Sequence, residues 1–120
     1  MLRVKSTAPF THTQLAQHLD ERKIGNRMFF GGNLLRQPAF VQLRKERPNA
    51  FRVIAADGRA LTAEHLELEL KASTNGEGAS PLPGADEIMH RAVFLGTYPG
   101  LTKAMLDYEI ATIREFARSR

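Results

Sequence analysis

Apolar positions recur at helical spacing in two stretches of this chain and alternate with polar ones in several shorter runs. In the first stretch Thr11 and Gln14 stand at capping-box distance, and Phe10 and Leu15 at the distance of a hydrophobic staple. Leu15 and Leu19 share one face, Lys23 suits the negative end of the dipole, and Gly25 supplies a stop. The spacing predicts a helix over 11–24. The second helix opens with Thr102 as N-cap and Leu101 placed to staple onto Leu106. Leu106, Ile110, Ile113 and Ala117 form its expected buried stripe, with Met105 and Phe116 alongside and Arg114 and Arg118 near the C-terminal dipole.

Strands are expected at Leu2–Thr7, at Asn26–Gly31 with Met28, Phe29 and Phe30 as bulk, at Phe51–Ala56, and at Val93–Leu95. Asp57-Gly58 is a hairpin signal. Leu66, Leu68 and Leu70 alternate with Glu67, Glu69 and Lys71, as on an edge strand with one wet face, and Ser73–Ser80 offers too few apolar groups to pack. The stretch 57–80 therefore reads as an insertion. Short helices are expected over Ala39–Glu46 and over Ala85–Arg91, the second with Ile88 and Met89 facing inward. Strand–helix–strand, an irregular middle and helix–strand–helix give an α+β sandwich of two layers, with a short mixed sheet covered by helices on one face.

With 120 residues, 42% of them hydrophobic and 25% charged, the chain suits one globular domain. It has no cysteine, which removes disulfides, thiolate metal sites, cysteine-ligated iron–sulfur clusters and a thiol nucleophile from its own chemistry. No apolar run approaches the ~20 residues of a membrane span, so the expectation is a soluble, cytoplasmic chain without membrane contact. The net charge of +4 is spread along the sequence, with two tyrosines and no tryptophan available for base stacking. Mild basicity of this kind suits an anionic small molecule at least as well as a nucleic acid.

His12, His18, His65 and His90 lack metal-ligand spacing. Glu67 with Glu69 lies on a wet face, Asp107 with Glu109 near a helix start, and none of the four serines sits on a hydrolase-type elbow. No catalytic residue is assigned. The most informative stretch is Arg27-Met28-Phe29-Phe30-Gly31-Gly32-Asn33-Leu34-Leu35-Arg36-Gln37-Pro38, where a strand-like run breaks at a glycine pair and enters a polar loop. Glycines allow close backbone approach, and arginine offers a planar fork to carboxylate or phosphate. Gly31, Gly32, Asn33, Arg36 and Gln37 are the candidate substrate-binding residues. The loop lacks the Lys-Ser/Thr of a Walker loop and the third glycine of a dinucleotide fingerprint. A plain strand end with a surface arginine fits the same residue types.

Two blocks carry a resemblance: HLDERKIGNRMFFGGNLLRQPAF from His18 to Phe40, and Asp86-Glu87-Ile88-Met89 followed by Val93-Phe94-Leu95-Gly96-Thr97-Tyr98-Pro99-Gly100-Leu101-Thr102. Both resemble the C-terminal region of nucleotide-sugar 3-dehydratases acting on CDP-4-keto-6-deoxy-D-glucose, the RfbH type of lipopolysaccharide biosynthesis, within the DegT/StrS sugar aminotransferase family. The resemblance implies the small C-terminal domain of an aspartate-aminotransferase (fold type I) architecture, spanning 1–120. A large domain, absent here, would bind pyridoxal or pyridoxamine phosphate (PLP/PMP) and in one subgroup a 2Fe-2S centre. It further implies a CDP-linked sugar as partner, a homodimeric parent, and a chain that is inactive alone: a truncated reading frame, a decayed copy or an excised piece. Asn33, Arg36 and Gln37 match the family segment facing the active site, with Arg36 the foremost contact, while Tyr98 reads as a packed structural residue of its turn. The competing expectation is a free-standing basic module for RNA or an acidic partner. An apolar patch around Phe29, Phe30 and Leu34 is expected to favour self-association.

Overall fold

The computed structural model describes residues 1–29, 31–50 and 52–120; Phe30 and Phe51, expected in strands, lie outside the described residues. The element order is β1 (Leu2–Arg3), α1 (His12–Glu21), β2 (Asn26–Met28), a 3₁₀ turn (Leu34–Arg36), α2 (Pro38–Glu46), β3 (Val53–Ile54), β4 (Ala60–Leu61), α3 (Ala63–Asn75), α4 (Pro83–Arg91), β5 (Ala92–Leu95) and α5 (Lys103–Arg118). These sort into two compact units, one made of Met1–Phe30 with Met89–Arg120 and the other of Gly31–Ile88.

In the first unit β5 is the central strand of the order β1-β5-β2, with Leu2 opposite Val93 and Asn26 opposite Leu95. Both pairings are antiparallel, so the expected mixed sheet is not found. Val93 and Leu95 point toward α1 and α5, joining Val4, Leu15, Ala16, Leu19 and Phe116 in one core. Phe94, on the opposite face, is 43% exposed. The capping box at Thr11 and Gln14 forms as expected. The helix stops differently. Arg22 is its C-cap and Lys23 takes the left-handed conformation at φ 60°, leaving Gly25 outside that role. A side chain in this conformation is strained, so Lys23→Gly should raise stability by about 0.5 kcal/mol, the relief exceeding glycine's added chain entropy. A lower denaturant midpoint for the variant would contradict this. Asn26, buried at the start of β2, ties strand to helix by donating to the Ala16 and Ile24 carbonyls and to Asp20.

The last helix starts at its expected Thr102 cap, and of its expected inward residues Ile113 and Phe116 pack on the core. Thr112 and Phe116 are inside, whereas Leu106 and Ile110 are 41% and 46% exposed. Thr112 tolerates burial because its hydroxyl donates to the Tyr108 carbonyl within the helix, and Phe116 meets Phe10 edge to face. Tyr98, expected packed in its turn, is 60% exposed.

The second unit overturns the middle of the sequence reading. The Asp57-Gly58 hairpin is present, with Val53 opposite Leu61 and Ile54 opposite Ala60. Leu66–Leu70, however, lies on helix α3 and not on an edge strand. Leu66 and Leu70 are four apart and buried, while Leu68 between them is 59% exposed, so the alternation was one helical face sampled twice. Thr62 caps the start, and Gly76 ends the helix in the left-handed conformation. Ser73, Thr74 and Asn75, expected to be mobile, form its last turn. The stretch 57–80 is packed: Leu61, Leu66 and Leu70 share the core with Leu35, Val53 and Ala55.

Candidate functional site

The loop entering the second unit is shaped by its own residues. Gly31 and Gly32 both take positive φ, 78° and 52°, a pair that side chains would strain. Asn33 follows in extended conformation and caps the 3₁₀ turn, its Oδ1 accepting from the Leu35 N–H at 3.1 Å. Gln37 closes the loop by donating from Nε2 to the Gly31 carbonyl at 3.0 Å, and Pro38 at the first position of α2 starts the next helix. Asn33 is fully buried.

Arg36 is the hub of this site, and Asp86 on α4 is its counterpart. The guanidinium donates from Nε and Nη2 to the two carboxylate oxygens at 2.8 and 3.0 Å, from Nη2 also to Ser73 Oγ at 3.0 Å, and from Nη1 to Thr74 Oγ1 at 2.9 Å. Ser73 and Thr74 each send their own proton to the Leu70 carbonyl, which turns oxygen lone pairs toward Arg36. Asn33 Nδ2 donates to Asp86 Oδ1 at 2.8 Å. The Arg36 side chain is 25% exposed and that of Asp86 15%. The Arg36 hydrogen bonds, then those from Ser80 and Asn33, hold Asp86 well below the usual carboxylate range. Asp86 in turn raises Arg36.

A second arginine lies nearby and was not foreseen. Arg44, one of the positive charges spread along the sequence, is buried, donating to Glu67 at 2.6 Å and to the Leu35 carbonyl. It ties α2 to α3 and to the loop. A cavity of about 560 Å³ opens beside these groups, lined by Arg36, Arg44, Lys71 and Thr74 with Leu35 and Leu68.

All five candidate residues therefore gather in one loop, and their bonds run inward. Arg36 makes four hydrogen bonds with its five donors, and the amides of Asn33 and Gln37 are bound to Asp86 and Gly31. A guanidinium held this way offers an external anion its remaining N–H, with its charge already matched by Asp86. The donor set does not fit a pyridoxal phosphate group, because its cation is already neutralised. Asp86, Ser73 and Thr74 were missed because they stand 50, 37 and 38 residues from Arg36. No local spacing signals such partners; Asp86 read as a helix-start acid. Among the described residues, no three His, Asp or Glu side chains gather to hold a metal ion, and no helix is long and apolar enough to cross a membrane.

No family model matches the sequence. The chain is 31% identical over 113 residues to the dTDP-4-dehydro-2,6-dideoxy-D-glucose 3-dehydratase of Saccharopolyspora spinosa. It is 33% identical over 113 residues to the lipopolysaccharide biosynthesis protein RfbH of Salmonella typhimurium strain LT2. Each match takes in 94% of this chain and 18% or 19% of the relative, so the chain spans about a fifth of the length of the curated relatives it matches. The resemblance read from the two sequence blocks is met: the chain is similar to a fragment of each protein.

Proposed function

We propose that this chain is the substrate-closing C-terminal small domain of a nucleotide-sugar 3-dehydratase of deoxysugar and lipopolysaccharide biosynthesis, inactive without the rest of the enzyme. One observation carries the reading: 94% of the chain aligns at about a third identity with pieces of two relatives, one of them named as a sugar-nucleotide 3-dehydratase. The DegT/StrS family and the aminotransferase architecture belong to the same proposal, as does a homodimeric parent. PLP or PMP would be held by residues outside this chain, where such a cofactor serves as the electron sink. A 2Fe-2S centre would also find its ligands elsewhere, since this sequence has no cysteine. The resemblance suggested a CDP-linked sugar and the Saccharopolyspora relative is named for a dTDP-linked one, so the substrate class is a nucleotide-diphosphate sugar.

In this reading the loop that carries Gly31, Gly32, Asn33, Arg36 and Gln37 is the wall presented to the sugar nucleotide. The glycine pair brings backbone close to the ligand, while Asn33 and Arg36, bound to Asp86, hold the wall in shape. The free-standing basic module is the weaker reading, since Arg22, Arg36, Arg44, Arg59 and Lys103 each pair with a carboxylate.

The test is a hybrid enzyme. The matching segment of the Saccharopolyspora dehydratase is replaced by this chain, with a hybrid carrying the RfbH segment as folding control. The expected result is dehydration within about a hundredfold of the parent, a barrier change below about 3 kcal/mol, and none from this chain alone. A hybrid that folds and takes up cofactor like the control, yet dehydrates nothing, would overturn the proposal.

A further inference from the structure

In the unit formed by Met1–Phe30 and Met89–Arg120, a cavity of about 640 Å³ opens among the segment after β1, the first turn of α1 and the end of α4. Lys5, His12, His90 and Arg91 line it, and among the described residues no carboxylate does. Strand pairing explains the gathering. Leu2 faces Val93, Arg3 faces Ala92, and the Val4 N–H donates to the Arg91 carbonyl at 2.9 Å, so Lys5 leaves the sheet beside the end of α4. The Ala8 N–H then donates to the Lys5 carbonyl at 3.1 Å, turning the chain toward the Thr11 cap, which delivers His12 to the same wall.

Like charges placed together lower stability. Burial, and then the positive charge of His90, pull His12 below the ordinary imidazole value. Glu87 stands one helical turn before Arg91 in sequence, and Arg3 lies opposite Ala92. The loop Gly31–Gln37 belongs to the other unit and plays no part here.

We propose that this cavity is an anion site that takes the phosphate group of a small molecule, with the Lys5 ammonium and the imidazole N–H groups of His12 and His90 as its donors. An ammonium and imidazole N–H groups suit phosphate oxygens as hydrogen-bond donors. The cavity falls within the usual ~300–1,000 Å³ of small-molecule sites, which leaves room for a carbon skeleton beyond the phosphate. This assignment is independent of the dehydratase reading.

Sulfate is the first probe, because its charge stays constant where imidazole titrates. Titrated into the intact chain at low ionic strength, it should shift the backbone amides of His12 and Thr13 and the ring signals of His12 and His90. Affinity should fall as pH rises through the His12 titration. By linkage, saturating sulfate should raise the His12 titration midpoint. His90→Gln and Lys5→Met should each weaken binding about three- to tenfold. In a second arm, inorganic phosphate is compared with glucose 1-phosphate. Tighter binding of the sugar phosphate assigns the site to an organic phosphate, and equal binding assigns it to the free ion; both support an anion site. No shift at tens of millimolar sulfate, an affinity indifferent to pH, or binding untouched by both substitutions would overturn it.

Discussion

Asp86→Ala should destabilise the Gly31–Ile88 unit by about 3 kcal/mol, the cost of stranding a partly buried charge together with a buried amide. Asp86 accepts from Arg36 at 2.8 and 3.0 Å and from Asn33 at 2.8 Å, and Asn33 has no solvent-exposed surface. Removal leaves the guanidinium with two hydroxyl partners and the Asn33 amide facing a void. Arg36→Met alone should cost a similar amount. Arg36→Met with Asp86→Leu should recover much of the loss, because apolar groups of like volume often replace such a pair without penalty. The measurement is a double-mutant cycle on urea unfolding, read by amide exchange in α3, with a coupling of at least about 1.5 kcal/mol expected. Additive losses would show that the pair does not anchor the loop.

The same carboxylate fixes a pH dependence. Its folded value is depressed, so between the folded and unfolded values the unfolded chain binds more protons and stability rises with pH. The contribution is complete above about pH 4, the ordinary aspartate range, and is lost as pH falls further. Asp86→Ala should flatten this acid limb. A variant that retains the full slope of the parent would assign it to other carboxylates.

Leu19→Ala should cost the first unit about 3 kcal/mol, within the ~2–5 kcal/mol observed for buried leucines. Leu19 and Val93 both have 0% exposure and belong to one cluster with Val4, Leu15 and Phe116. The walls of the void come from α1, the sheet and α5, elements already fixed by caps and strand pairing, so they relax only in part. The urea midpoint should drop at constant slope. A loss under about 1 kcal/mol would mean that the site collapses freely, against the close packing of a formed core.

Much of this structure was legible in short-range chemistry. Thr11 with Gln14, Thr102 and Asp57-Gly58 act within four residues, and each of those caps and turns stands where its spacing placed it. What failed required knowledge of distant partners. Leu66, Leu68 and Leu70 satisfy a strand period, and only the cap at Thr62 and the stop at Gly76 distinguish the helix. On α5, helical spacing found Ile113 and Phe116 but also favoured Leu106 and Ile110, which are exposed, and missed the buried Thr112. The polar loop 31–37 was visible as a unit from its glycines and Pro38. The state of Arg36 was not, because its acceptors come from α3 and α4.

Because the Gly31–Ile88 unit sits as one continuous segment between the two halves of the other, the units differ in when they can be completed during synthesis. Every contact within the inner unit is available once Ile88 has left the ribosome. The outer sheet waits longer: Leu2 has no partner until Val93 emerges, and closing so large a loop carries the larger entropic barrier. Until then α1 stays nascent, with Leu15 and Leu19 open to chaperones.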